Sequence, residues 1–324
     1  VYLYPKQGTA LGEPTNVSLA NAEPTPDPTS TDVIEQLACG ALFVAVRTAQ
    51  GAVYTMGMNA NGELGVGKPP TFMSQAQLLR VEGDIMAAGR VRDIAAGGCH
   101  VLLAMHNGDV VGWGRNNRLQ LTSAAGGADA VHSTPVVVRV ARAAEDADNI
   151  VNVAAGDYHS FAVTAAGAVY ALGSNKCGHL GFTSDGADVG VWTKVALPAP
   201  CVSAASGGGY GAAHTVFALN DGTLCVCGTN ASGEIGLGPT RKAAADGVAT
   251  LPINASLRTP SETSAWSVAC GWRHTVVWDP QAPTAFADDA SDDGRLTFHR
   301  LNAAGFAGLV IDACELVVEF LGAG

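Results

Sequence analysis

Apolar residues along this chain fall in short runs rather than in helical stripes. "HVLLAM" (100–105), "HSFAVT" (159–164) and "HTVFAL" (214–219) have the length of strands. Each is followed by a polar break and a second run: "HNGDVVGWG" (106–114), "AAGAVYALG" (165–173) and "NDGTLCVCG" (220–228). The runs show little polar alternation, which predicts strands covered on both faces by neighbouring layers. Asn107-Gly108 and Asp221-Gly222 mark tight hairpins and read as two-residue type I′ turns, which need positive φ at both central residues. A further strand precedes the next unit, clearest in "TPVVVRV" (134–140).

The units repeat. A glycine followed three places later by histidine recurs as Gly97/His100, Gly156/His159, Gly211/His214 and Gly271/His274, and Gly40 heads a copy with Phe43 in the histidine place. The period is about 55–60 residues, a repeat of supersecondary units. Turn glycines follow at Gly51, Gly108, Gly167 and Gly222, and strand-ending glycines at Gly57, Gly114, Gly173 and Gly228. An asparagine then stands at Asn59, Asn116, Asn175 and Asn230, ahead of "GELG" (62–65), "LQLT" (119–122), "GHLG" (178–181) and "GEIG" (233–236). The fifth copy, "ACGWRHTVVW" (269–278), resumes past an insertion at Gly294, with Asn302, Gly305 and Gly308 in register. Clear copies thus span about 37–67, 94–122, 153–181, 207–238 and 268–308.

Repeated small antiparallel sheets predict one all-β domain over residues 1–324, a β-propeller of four-stranded blades. Five repeats are clear and the blade count is six or seven. "VYLY" (1–4) and "CELVVEFL" (314–321) are expected to supply terminal strands that close the ring and cover its edges. Four segments stand out as inserted loops: 122–133, 182–192, 238–260 and 279–294.

Composition narrows the function. Forty glycines in 324 residues fit a turn-rich chain, and 48% hydrophobic against 15% charged residues fits a folded one. The net charge of −11 and the absence of a lysine–arginine stripe argue against direct nucleic-acid binding. No apolar run is long enough to span a membrane. The eight cysteines lack C-x-x-C spacing, so no zinc site is predicted; Cys225 and Cys227 fall on one side of a strand. Unpaired, buried thiols imply an intracellular, reducing compartment, with cytoplasm, nucleus and organelle matrix not distinguished. The chain opens at Val1 without methionine, so targeting is not legible.

The stretch "AAGDYHSFAVTAAGAVYALGSNKCGHLG" (154–181) resembles the repeat of the regulator-of-chromosome-condensation family, and matching repeats cover roughly 37–308. The resemblance implies a propeller. "GWRHT" (271–275) is also similar to a motif of the family's ultraviolet-B-sensing members, whose sensor is a tryptophan cluster. Here Ala41, Gly98, Asp157 and Ala212 match Trp272, so no such cluster is implied.

Four equivalent histidines cannot share one catalytic neighbourhood. His100, His159, His214 and His274 are therefore assigned to hydrogen bonds that tie adjacent strands, and the repeat glycines and asparagines to backbone geometry. No phosphate loop, metalloprotease helix or nucleophile elbow is present, and the glycine-rich "GGGYG" (207–211) is not followed by a helix pattern. The expectation is a non-catalytic scaffold without cofactor or metal, binding one or more proteins. Guanine-nucleotide exchange on a small GTPase is the alternative that the resemblance implies, although no exchange residue carries over. The acidic loop with Asp279, Asp288, Asp289, Asp292 and Asp293 is the candidate partner-binding segment; its oxygens lack the spacing of a calcium loop.

Overall fold

The computed structural model describes residues 2–4, 6–7, 10–11, 15–16, 19, 22–24, 32–121, 131–140, 148–209, 212–231, 233–235, 248–250, 266–271, 274–278 and 317–319. The chain starts with short strands β1 (Tyr2–Tyr4), β2 (Lys6–Gln7), β3 (Ala10–Leu11) and β4 (Thr15–Asn16). Blade 1 follows as β5 (Ile34–Cys39), β6 (Phe43–Thr48), β7 (Val53–Asn59) and β8 (Thr71–Arg80), and one helical turn, α1 (Asp84–Ala87), leads to the next. Blade 2 is β9 (Val91–Ala96), β10 (His100–Met105), β11 (Val110–Arg115) and β12 (Val131–Val138). Blade 3 is β13 (Ile150–Ala155), β14 (His159–Thr164), β15 (Val169–Gly173) and β16 (Val189–Val195). Blade 4 is β17 (Cys201–Gly209), β18 (Ala212–Leu219), β19 (Leu224–Gly228) and β20 (Ala249–Thr250). β21 (Ser267–Cys270) pairs with β22 (Thr275–Trp278), and β23 (Val317–Glu319) ends the series.

Within every complete blade the strands pair antiparallel in chain order, as in a meander. The first strands lie side by side, β5 against β9, β9 against β13, β13 against β17 and β17 against β21. They form the inner wall, and the sheets fan outward from it as a β-propeller. β23 pairs antiparallel with β1, Tyr2 opposite Glu319, so the predicted pairing of terminal strands is present.

The lack of alternation now has a physical reason. All six residues of β10 are buried. Val101 and Leu103 point into the core shared with blade 1, whereas Leu102 and Ala104 point into the core shared with blade 3. A blade's middle strands have no solvent face, so both registers must be apolar.

Three sequence expectations change. The "inserted loop" 182–192 contains the start of β16, and 131–133 of the loop 122–133 belong to β12. The outer strands carry exposed residues such as Val131 and Val191, so they lack the apolar run that marks inner strands. The hairpins are also not type I′. Gly108 has φ 86° and donates to the Met105 carbonyl at 3.0 Å, while Met105 donates to Asp109 at 2.9 Å; Asn107 is not at positive φ. This is a three-residue turn closed by a left-handed glycine. It recurs at Gly51, Gly167 and Gly222, and Asp221 caps its turn by accepting from the Thr223 amide at 2.9 Å.

Candidate functional site

The repeat histidines join blades rather than strands of one blade. His100 Nε2 donates to Ser160 Oγ of blade 3 at 2.9 Å. His159 Nε2 bonds Ser206 Oγ of blade 4, and His214 Nε2 donates to the His274 carbonyl at 3.3 Å. The rings of His100, His159 and His274 pack on Gly97, Gly156 and Gly271: a Cβ on Gly97 would meet His100 Cε1 at 2.3 Å and the Gly156 carbonyl of the next blade at 2.3 Å. Phe43 fills the same space over Gly40. His100, His159 and His214 are buried; His274 is exposed. Burial holds His100 down at about 3 and His214 at about 4, so these rings are neutral.

Blade 4 corrects the assignment of Gly211. Its first hairpin is longer, and Gly207 lies opposite His214. A Cβ on Gly207 would strike the Gly271 carbonyl at 2.2 Å, the same close approach that Gly97 makes to blade 3. Counting back from the histidine therefore selected the wrong glycine of "GGGYG". Gly211 itself lies outside the described residues, as do Asn302, Trp272, Asp279, Asp288, Asp289, Asp292, Asp293, the loop 279–294 and the loop 238–260 apart from 248–250, which hold β20.

The asparagines staple the loop that follows the third strand. Asn59, Asn116, Asn175 and Asn230 accept, through Oδ1, the amides of Leu64, Leu121, Leu180 and Ile235 at 3.1, 2.9, 3.0 and 3.2 Å. Those four side chains are fully buried between blades. The residue before each offers its carbonyl to the next blade: Ser160 Oγ donates to Gln120 at 2.6 Å, Thr215 Oγ1 to His179 at 2.8 Å, and Thr275 Oγ1 to Glu234 at 2.8 Å. At the first joint the matching residue is Val101, and Trp113 Nε1 donates to Glu63 at 2.7 Å instead. Sequence reasoning missed this tie. Its signal was a hydroxyl directly after three of the histidines.

Two polar groupings lie outside the repeat's structural ties. On the inner wall, the Asp93 carboxylate accepts from Gln36 Nε2 at 2.7 Å, Asn152 Nδ2 at 2.6 Å and the Val153 amide at 2.8 Å. Burial raises its pKa, and its hydrogen bonds are all spent between blades. The second lies at the end of the ring where the His-turns and stapled loops meet. There Arg115 stacks over Tyr158 at 5.8 Å, and Arg118 Nη1 reaches Asp188 Oδ2 at 3.3 Å. Asp157 lies across Gly98 and is raised to about 6 by burial, against the pull of Arg115. No group of His, Cys, Asp and Glu among the described residues has metal-holding geometry.

Residues 91–120 and 150–178 match one form of the Regulator of chromosome condensation (RCC1) repeat, and residues 107–163 match another. The chain carries RCC1-type repeats. Among curated RCC1-type relatives, the ultraviolet-B receptor UVR8 of Arabidopsis thaliana is 30% identical over 75% of this chain and 50% of its own length. The probable E3 ubiquitin-protein ligase HERC3 of Homo sapiens is 31% identical over 64% of the chain and 18% of its own length. The Regulator of chromosome condensation of Mus musculus is 30% identical over 59% and 42%. The chain therefore spans half or less of these relatives. In fold, human WBSCR16 superposes with a TM-score of 0.63 at 22% identity, covering 79% of this chain and 62% of that one. Yeast RCC1 (Prp20), solved bound to Kap60, gives 0.60 at 22% identity, covering 77% and 54%. Among the described residues no helix is long and apolar enough to cross a membrane.

Proposed function

We propose that this chain is a non-catalytic protein-interaction scaffold, an accessory or structural subunit of a larger assembly. The observation that carries this reading is where the repeat's polar residues spend their bonds. The buried histidines and the hydroxyls spend their bonds in blade-to-blade ties, the asparagines in staples within each blade's loop, and Asp93 is closed off between Gln36 and Asn152. No described set of acid, base and nucleophile converges in a cleft. What varies between blades is the loop surface, and rigid blades presenting variable loops make a recognition platform. Relatives fit the reading: yeast Prp20 is solved bound to Kap60 and has binding properties to Gsp1p and histones.

Affinity purification of the full chain followed by mass spectrometry tests the proposal. A stoichiometric protein complex that persists without nucleotide is the expected result. Accelerated nucleotide release from a small GTPase would replace the scaffold by an exchange factor, and recovery of the chain alone would remove both.

A further inference from the structure

We propose that the loop end of blades 2 and 3, where Arg115 and Arg118 flank the Tyr158 ring, docks an acidic segment of a partner protein, a run of Asp or Glu carboxylates. This rests on the scaffold reading and names the surface and the chemistry of its partner.

The first observation is an unspent guanidinium. Arg115 is half-buried and its guanidinium lies over Tyr158, yet that side chain makes no hydrogen bond and no ion pair with any described residue. A guanidinium has five donors in a planar fork, and contact with a ring face leaves them unspent. Arg118 adds a second cation beside the same ring. It is held by one contact, 3.3 Å to Asp188, which leaves most of its donors open. Lys176 is exposed in the equivalent loop one blade further on.

The second observation is the state of the carboxylates nearby. Glu63 is turned inward, accepting from the Asn61 amide and Nδ2, each at 2.7 Å. Asp157 lies over Gly98, faced by Arg115 from β11, Cys99 from the blade 2 turn and its neighbour Tyr158. It forms no ion pair with Arg115, and its carboxyl is raised to about 6. Arg115 is thus left without an anion at ion-pair distance among the described residues, and Arg118 has one, Asp188. The chain as a whole carries −11, so a cationic patch is a local feature and sets the sign of what it attracts. Leu42, 64% exposed at the same end of blade 1, supplies an apolar contact. Arginine, tyrosine and leucine together are the composition of an interface centre. A carboxylate can pair with the planar guanidinium fork through two parallel N–H···O bonds.

The test uses the full chain and a fluorescein-labelled octaglutamate peptide, read by anisotropy at pH 7.5 and low salt. Binding that weakens with added salt is expected. R115Q/R118Q should weaken it at least ten-fold, and R115K, which keeps the charge but loses the fork, should fall between. R90Q, at the opposite end of the blades, should change nothing. D157N should tighten binding at pH 7.5 but not at pH 5.5, since Asp157 ionises through about 6 and competes for Arg115. Equal affinity of R115Q/R118Q and the unaltered chain, or tighter binding of a labelled eight-nucleotide DNA, overturns the proposal. If R115Q/R118Q folds normally and still recovers the chain's protein partner in full, this surface is wrong while the scaffold reading stands. If no partner is recovered with the unaltered chain, the scaffold reading fails first.

Discussion

The joint between blades 1 and 2 and the joint between blades 3 and 4 solve one problem with different residues. In both, a buried carbonyl in the stapled loop of one blade must find a donor in the next. Glu63 finds the Trp113 indole at 2.7 Å; His179 finds the Thr215 hydroxyl at 2.8 Å. The first joint is packed with Phe43, Leu64 and Trp113 and carries no imidazole at its repeat position. The second stacks His159 on His179, ring centroids 4.2 Å apart, with both side chains buried. The repeat thus fixes a position and a hydrogen-bond requirement, not a residue. One joint meets the requirement with hydrocarbon and an indole, which do not titrate. The other uses imidazoles, which do.

The largest expected effect breaks the first joint. Trp113 is fully buried, and Trp113→Ala removes its contacts and strands the Glu63 carbonyl, a loss of about 3–5 kcal/mol. Trp113→Phe keeps most of the volume and loses only the donor, at about 1–3 kcal/mol. Urea denaturation measures both. If Trp113→Phe matched Trp113→Ala, the hydrogen bond rather than the packing would hold the joint.

Next in size is the pH response of the second joint. Burial lowers His179 and His214 to about 4, and His159 is held well below its ordinary value by burial and by its histidine neighbours. The unfolded chain takes up protons below about 6.5 that the folded chain refuses, so stability is full above that pH and falls as pH drops toward 4. Each such histidine contributes about 1 kcal/mol per pH unit in that window. Asp93 and Asp157, raised by burial, act with the opposite sign. The comparison is therefore the slope of His179→Gln, which borrows the residue blade 2 uses at Gln120, against that of the unaltered chain. A flatter slope between pH 6.5 and 5 is expected, and an unchanged one would mean His179 is not protonated on unfolding. Trp113→Phe should leave the slope as it is.

Much of this architecture was legible in the sequence because geometry restricts the residue. Gly114 has φ 97° and its Cβ would meet the Cys99 carbonyl at 2.4 Å, so only glycine fits and its recurrence is visible. The same holds for Asn116, whose side chain must reach an amide five residues on. The outer strands were less legible. β16 has one face on the core and one in water, so its residues vary and it read as a loop. Gly211 was assigned the place that Gly207 holds, because spacing alone cannot see a lengthened hairpin. Arg115 and Tyr158 belong to no shared register at all, which is why sequence reasoning passed over the surface they form. A site that differs from blade to blade is hidden from any search for repetition.

The smallest effect sharpens the comparison most. Thr215→Val removes the hydroxyl that serves the His179 carbonyl, but Cys227 Sγ also reaches that carbonyl at 3.2 Å. The loss should be only about 1 kcal/mol, because a weak second donor remains. At the first joint the natural residue is already Val101, with the indole in place of a hydroxyl. Val101→Thr alone should gain nothing, since the Glu63 carbonyl is occupied. In the Trp113→Phe background the same threonine should recover part of the lost stability, a coupling measurable in a double-mutant cycle. Recovery would show that the two joints are chemically interchangeable at this carbonyl. Strict additivity would show instead that each blade pair has evolved a backbone spacing that admits only its own donor.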